Sequence, residues 1–489
     1  MTSPETIVIA AHGSLEDGRA AAPAHAHAER LRAQGVADAV RVGFWKEEPA
    51  LRSVVQSIET GAATVVPLLT SEGYFAREVF PTELELPRES AVTLRYTDPI
   101  GTHPSVATVI DDRVATHADH PESTTVILVG HGTERNPRSA AATRRHADRV
   151  QARGTYAAVH AAFLDDDPAV VDVLERVSTN EVVVVPVFIA DGPHAAEDVP
   201  ASFGHPGIGQ TANISGHRVH YTGAVGTAPS LADVIIERAV EAGAVIDRDE
   251  SGRGVQAAER RLCERLASDD MPSKWGQVRI REQPESFAVC HVNDSDQPIP
   301  TLDEMETLAA LRARVRRDAT GGYRPLTGEP TLPEGWILSG LDTRDVIRAL
   351  EVVYPGAVFA WDRDRRGTLD PTSLSDTLSR QQGMYRNVAS LEPAEREAAI
   401  TAVCGSCVRD RRWGVREGNT PDSGAGIPCA EACPFFLAAA HGMAEYGPEA
   451  ADSVAPTVHS AAFDDPENAV RVRYARALDA PASMPGGTR

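Results

Sequence analysis

The sequence predicts an α/β chain: two tandem domains with parallel sheets, followed by an α+β module and a small cysteine-bearing domain. Three observations carry this. The first half repeats itself at a constant spacing, and each copy alternates short apolar runs with helical segments. That pattern stops near residue 248, beyond which four cysteines cluster in pairs. At roughly 150 residues per domain, a chain of 489 residues has room for about three domains or more.

The repeat is read from landmarks. Ala10-Ala-His12-Gly-Ser answers Val129-Gly-His131-Gly-Thr at an offset of 119, and Phe44, Pro49, Pro67, Gly73 and Glu78 answer Phe163, Pro168, Pro186, Gly192 and Glu197 at the same offset. Tyr96 and Gly101 answer Tyr221 and Gly226 at 125, so six residues are inserted near Gly204 to Gln210. Copies of this size exceed a solenoid unit and imply duplication and fusion.

In the second copy, Thr125 to Val129 is an apolar run of strand length. Asn136-Pro137 offers an N-cap with proline at the first helical position, and Ser139 to Gln151 continues as a helix. Tyr156 to Phe163 and Val-rich Glu181 to Ile189 read as strands, with a helix over Pro168 to Val177 between them. A short strand, His217 to Tyr221, and a helix, Ser230 to Ala242, close the unit. Strands alternating with helices predict a parallel sheet covered on both faces.

Asp247 to Gly254 is a polar linker. Beyond it, helices are expected over Gln256 to Ala267, Leu302 to Arg317 and Thr343 to Tyr354. Strand-like alternation is expected over Gly276 to Val292, and a short strand over Ala357 to Trp361. The expected domains are 1–120 and 121–247 for the two copies, 255–390 for the α+β module, 395–445 for the cysteine-bearing domain and 446–489 for an irregular tail.

Charge bounds the function. Forty-eight basic against 70 acidic residues give −22, which argues against a sequence-independent nucleic-acid binder. The longest apolar run, Val182 to Ala190, holds nine residues including Pro186, short of the roughly 20 that span a bilayer. The N-terminus lacks the basic region and apolar stretch of a secretion signal, so a cytoplasmic location without membrane partners is expected. Lys46 and Lys274 are the only lysines; acid excess with almost no lysine fits a salt-adapted protein, although GC-rich coding gives the same replacement by arginine.

His12 and His131 each follow a first strand in the frame His-Gly-Ser/Thr. Ligands bind at the carboxyl ends of strands in open parallel sheets, and glycine lets the backbone come close. His194 lies just beyond the third strand in Gly192-Pro-His194-Ala-Ala-Glu197-Asp198, so His131, His194 and Glu197 are expected on one rim. The first copy keeps His12 and Glu78 but has Phe75 at the position of His194. Taken singly, each histidine reads as a capping or packing residue; equivalent placement in two copies points to chemistry. A histidine phosphatase needs arginine before the histidine, where this chain has Ala11 and Gly130.

The duplicated half, about residues 5–245, resembles the CbiX family of sirohydrochlorin cobaltochelatases and, more loosely, the sirohydrochlorin ferrochelatases. The resemblance implies two chelatase-like domains that insert Co2+, as substrate metal, into sirohydrochlorin in early-cobalt cobalamin synthesis. It maps the two active-site histidines onto His131 and His194, with Glu197 behind them; His12 matches only the first motif as a metal-binding candidate. Long members of the family keep the working pair in their first half, so its place here is a departure. Neutral imidazole suits Co, Ni and Fe(II) and takes a proton at neutral pH. A polycarboxylate substrate needs a local basic rim, for which Arg135 and Arg138 are the candidates, with Arg144 and Arg145 nearby. Iron or nickel insertion remains open, as does a non-catalytic redox sensor or metallochaperone. Fusion of the copies removes the need for a homodimer, so a pseudo-dimeric monomer is expected.

The cysteines Cys404, Cys407, Cys429 and Cys433 are spaced C-x2-C, 21 residues, C-x3-C-P. Without a secretion signal such a set reads as a metal site. C-x3-C-P ends a bacterial ferredoxin run, and Gly418 to Gly426 gives freedom to wrap a cube, which favours a 4Fe-4S cluster over zinc. Residues 250–445 also resemble the C-terminal iron–sulfur extension found on CbiX-type chelatases.

Overall fold

The computed structural model describes residues 5–86, 90–133, 137–246, 257–268, 270–318, 322–324, 331–405, 407–413 and 427–446. The chain divides into two compact units, Met1–Gln256 and Ala257–Arg489.

In the first unit, β1 (Glu5–Ala11), β2 (Ala39–Phe44), β3 (Thr60–Pro67) and β4 (Ala91–Tyr96) form a parallel sheet in the order β2-β1-β3-β4. The second copy repeats it with β5 (Thr124–Gly130), β6 (Ala158–Phe163), β7 (Glu181–Pro186), β8 (Thr211–Ile214) and β9 (His217–Tyr221), ordered β6-β5-β7-β9-β8. The six-residue surplus of this copy leads into β8, an antiparallel edge strand absent from the expected set. It joins β9 through Ser215-Gly216, both at positive φ, as a two-residue hairpin turn requires.

Alternation along the strands builds two layers. Val126 and Leu128 of β5 and Val183 and Val185 of β7 face a core shared with Ile7 and Ile9 of β1. Ile127, Val129, Val182 and Val184 face the opposite side, against Val170, Val173 and Phe203. Helices Ala22–Ala33, Val106–Ala115, Pro137–Ala152 and Leu231–Glu241 also pack residues into this shared core, as do β2 and β3. The two copies are therefore welded through one apolar interior. A histidine lock from each side adds direction: His27 Nε2 donates to the Gly226 carbonyl at 2.8 Å, and His146 Nε2 to the Gly101 carbonyl at 2.7 Å. The two bonds are equivalent under the duplication. Gly101 and Gly226 have no room for a side chain; a Cβ on Gly101 would lie 2.4 Å from the Thr70 backbone, and one on Gly226 2.1 Å from the Ile189 carbonyl oxygen.

In the second unit, β10 (Lys274–Trp275), β11 (Val278–Gln283), β12 (Ser286–His291), β13 (Asp303–Glu304) and β14 (Trp336–Leu341) form one sheet, ordered β10-β11-β12-β14-β13. Helices Ala257–Ala267 and Thr343–Val353 form as expected. Three features differ. The helix expected from Leu302 begins at Leu308, after β13 has paired with β14. β14 itself was not foreseen. Ala357–Arg365 is a helix, not a strand, because a short apolar run does not distinguish the two, and Val358 and Trp361, three apart, both pack into the core. Further on, β15 (Arg409–Arg411) pairs with β16 (Ile427–Cys429), beside helices Pro393–Cys404 and Pro434–Tyr446. Asn136, the Gly418–Gly426 loop and the expected tail beyond 446 lie outside the described residues.

Burial pushes the His146 imidazole down to about 4 against the hydrogen bond to Gly101, and the His27 imidazole down likewise. His146 Nδ1 is buried without a hydrogen-bond partner, so a second proton there is uncompensated. Unfolded histidine binds that proton near 6.5, the folded His146 only near 4. Between those values the unfolded chain holds more protons. Stability is thus whole above pH 6.5 and falls as pH drops towards 4, by at most about 3 kcal/mol for this residue. Urea denaturation at stepped pH checks this: His146→Gln, which keeps a donor, is expected to flatten the acid slope, and an unchanged slope refutes the assignment.

Candidate functional site

The site grows from the turn after β5. Gly132 sits at φ 70°, and a Cβ there would meet Asp166 at 2.6 Å, so only glycine lets the chain reverse here. That reversal brings the Gly132 carbonyl to 2.8 Å from Nδ1 of His131. A carbonyl only accepts, so Nδ1 carries the hydrogen and Nε2 keeps its lone pair. Asp165 Oδ2 lies 3.4 Å from the same Nδ1.

His194 arrives from the carboxyl end of the neighbouring strand β7, on a π-helical turn over His194–Asp198. Such turns occur often at functional sites. Its Nδ1 donates to Asp198 Oδ2 at 2.7 Å, which again leaves Nε2 with the lone pair. The two rings stand edge-on, centroids 4.8 Å apart and 85° between planes. Both side chains are exposed, at 41% and 56%. The pair thus offers two Nε2 lone pairs on exposed side chains, each imidazole backed by a carboxylate at Nδ1. That set binds a borderline divalent ion or takes protons. Among the described residues no three His, Cys, Asp or Glu side chains close around one metal position, so the rim is a pair and not a cage.

Glu197 does not touch His194. It accepts from Arg19 Nη2 of the first copy at 3.0 Å, and the carboxylate that orients the imidazole is Asp198. The physical reason is helical spacing: position i+4, not i+3, faces Nδ1 in this turn. Asp165, Asp198 and Arg19 escaped sequence reasoning; Asp198 had a signal in its i+4 spacing, whereas Arg19 comes from the other copy and had none. Arg138 and Arg145 are exposed on the helix after His131, Arg144 is tied to Asp166 and Asp167, and Arg135 lies outside the described residues. In the first copy His12 Nδ1 donates to the Gly13 carbonyl at 2.9 Å, but its edge-on neighbour is Phe75, at 4.6 Å.

Cys404 ends the helix Pro393–Cys404 with Cys407 three residues on, Cys429 ends β16, and Cys433 directly precedes the helix Pro434–Tyr446. Burial first, and then the nearby Cys429 and Cys407, push the Cys404 thiol up to about 12. Backbone N–H groups of Arg409 and Phe436 point at Cys407 Sγ and Cys433 Sγ, at 3.4 and 3.5 Å. Trp413 and Phe436 rings pack 5.1 Å apart beside them. The four sulfurs likewise do not close around one metal position among the described residues, but soft sulfur ligands with N–H donors and an aromatic neighbour are the chemistry an iron–sulfur cluster takes.

A CbiX family model matches residues 6–117 and again 125–242. A probable sirohydrochlorin cobaltochelatase of Halobacterium salinarum is 38% identical over 271 residues, covering 50% of this chain and 93% of that protein. The chain belongs to the CbiX family. A sirohydrochlorin cobaltochelatase of Methanopyrus kandleri is 34% identical over 83 residues, 16% of this chain and 57% of that one. Beyond the CbiX repeats, a DR2241 stabilising domain matches 263–365 and a 4Fe-4S iron–sulfur cluster binding domain matches 366–442. The crystal structure of DR2241 from Deinococcus radiodurans, a multi-domain protein with structural similarity to chelatases and two additional domains, aligns with a TM-score of 0.76 at 28% identity, over 91% of this chain and 99% of that one. The CbiX chain is therefore a chelatase-family protein with a 4Fe-4S binding domain. No helix among its described residues is long and apolar enough to cross a membrane.

The carboxylates behind the CbiX pair have separable effects. Asp198→Asn is expected to weaken Co2+ binding roughly 10- to 100-fold, as loss of an orienting partner does. Glu197→Gln is expected to change it far less. Titration calorimetry with Co2+ measures both, and the reverse ranking would return the orienting role to Glu197.

Proposed function

We propose that this protein is a sirohydrochlorin cobaltochelatase, inserting Co2+ into sirohydrochlorin on the early-cobalt route to cobalamin in the cytoplasm. The observation that carries the reading is the edge-on pair His131 and His194, both held through Nδ1 so that Nε2 keeps its lone pair. The named activity of the Halobacterium salinarum relative supports the choice of cobalt.

In this reading Co2+ is a substrate, held by the two Nε2 atoms while it sheds water. As it passes into the ring, two pyrrole N–H protons must leave. The same imidazoles accept them, and each resulting imidazolium lies beside a carboxylate: His131 beside Asp165, His194 beside Asp198. The carboxylates thus stabilise the protonated state without competing for the outward nitrogen. Arg138, exposed at the start of its helix, and Arg135 meet substrate carboxylates. Glu197, clamped to Arg19, ties the rim of one repeat to the other and fixes the mouth of the site. The fused repeats share one core, so a single chain supplies what a dimer would.

We also propose that Cys404, Cys407, Cys429 and Cys433 hold the 4Fe-4S cluster, which supplies one-electron chemistry when bound. The chain's contribution is to present thiolates under N–H donors and an apolar cover.

Two experiments follow. Anaerobically reconstituted protein is expected to insert Co2+ faster than Fe2+ or Ni2+, and His131→Ala or His194→Ala to slow insertion at least about 100-fold, the low end of acid–base contributions. Faster insertion of another ion would change the metal; unimpaired His194→Ala would favour a sensor or chaperone role instead. Protein purified without air is expected to be brown with broad visible absorption, and Cys429→Ser to lose iron; a colourless protein holding one zinc would refute the cluster.

A further inference from the structure

The first repeat keeps the frame of the second but changes its chemistry at three places. Phe75 stands for His194, Val79 for Asp198 and Lys46 for Asp165. The lone imidazole is retained with the same lock, since His12 Nδ1 donates to the Gly13 carbonyl and its Nε2 keeps the lone pair. Around it the wall is aromatic. Phe75 stands edge-on at 4.6 Å and Trp45 lies at 5.2 Å from His12; Phe75 also meets Trp45 at 5.0 Å and exposed Tyr74 at 5.9 Å. Lys46, one of only two lysines in the chain, places its ammonium 5.5 Å from the Trp45 ring centre.

Each replacement removes something that metal insertion needs and adds something that ring binding uses. The second imidazole and both orienting carboxylates are gone, so no pair captures a bare ion or takes up pyrrole protons. In exchange the rim gains an aromatic face, which stacks on a flat π-system, and a cation, which meets a carboxylate. A packing remnant would have no reason to keep an imidazole locked by the same carbonyl with its Nε2 lone pair left over, or to place a lysine where lysines are otherwise almost absent.

We propose that the rim of the first repeat binds a metallated, carboxylate-bearing planar macrocycle, with His12 Nε2 as an axial ligand to its metal, Phe75 and Tyr74 against the ring, and Lys46 on a carboxylate. The identity of the ligand rests on the function proposed above, because it is the product class of that reaction. Binding forms one metal–nitrogen bond and releases one axial water. No proton or electron moves, since Nδ1 already carries its hydrogen. The Glu16 carboxylate is the charge that competes for Lys46. The repeats thereby divide the work: the second metallates the ring, and the first retains the finished one.

The test isolates the first repeat within the full holoprotein. The His131→Ala/His194→Ala variant is titrated anaerobically with Co(II)-sirohydrochlorin and followed by electron paramagnetic resonance. One equivalent is expected to bind, with coupling to a single axial nitrogen. Adding His12→Ala is expected to abolish that coupling, and Lys46→Glu to weaken binding roughly 10-fold with the coupling retained. Absence of nitrogen coupling, or coupling that survives His12→Ala, overturns the proposal. If His12→Ala fails to fold, the Lys46→Glu affinity decides, and an unchanged value overturns it. The readout is binding, so the two readings fail separately. Wild-type protein that inserts cobalt while the double variant shows no coupling sinks this inference alone; coupling without cobalt insertion sinks the proposed function alone.

Discussion

Nδ1 of His131 donates to the carbonyl of the very next residue, and the rest of the rim depends on that bond. It exists because Gly132 takes a positive φ that folds its carbonyl back against the ring. It fixes the tautomer, and the tautomer fixes where the lone pair points. His194 reaches the same state by another route, through Asp198 one turn on. Two imidazoles that would otherwise rotate and exchange tautomers become two directed nitrogens.

The sheet order turns these local devices into one site. β5 and β7 are adjacent and parallel, so the segments leaving their carboxyl ends emerge side by side. The same holds for β1 and β3 in the first repeat, where the product is an imidazole beside a phenyl ring. Duplication keeps the two rims in a fixed relation through one continuous core and two equivalent histidine-to-carbonyl bonds. A shared interior frees one rim to change its side chains, because the strands beneath are held by burial and backbone pairing and not by the residues at their tips.

Much of this was legible in the chain. The constant offset gave away the duplication, and the apolar runs marked β5 and β7 because buried parallel strands leave a continuous hydrophobic signature. The histidine frame was readable because its glycine is a backbone requirement. Other parts were not. β8 alternates but is only four residues long, too short to stand out from a loop, and the apolar run that opens Ala357–Arg365 is too short to separate helix from strand by period. Glu197 and Asp198 are adjacent in sequence and chemically alike; a change of one residue in helical phase sends one to Arg19 and the other to His194.

The sequence alone determined the two repeats, their strand-and-helix order, the pair of histidines after the strands and the four-cysteine spacing, since each is written in local pattern or in residue type. Tertiary structure decided which carboxylate backs which imidazole, that a first-repeat arginine closes on the second repeat, and that His12 stands within an aromatic wall. Those outcomes depend on distances between segments far apart in the chain and on the phase of a single helical turn, and both are set only when the sheets pack around their common core.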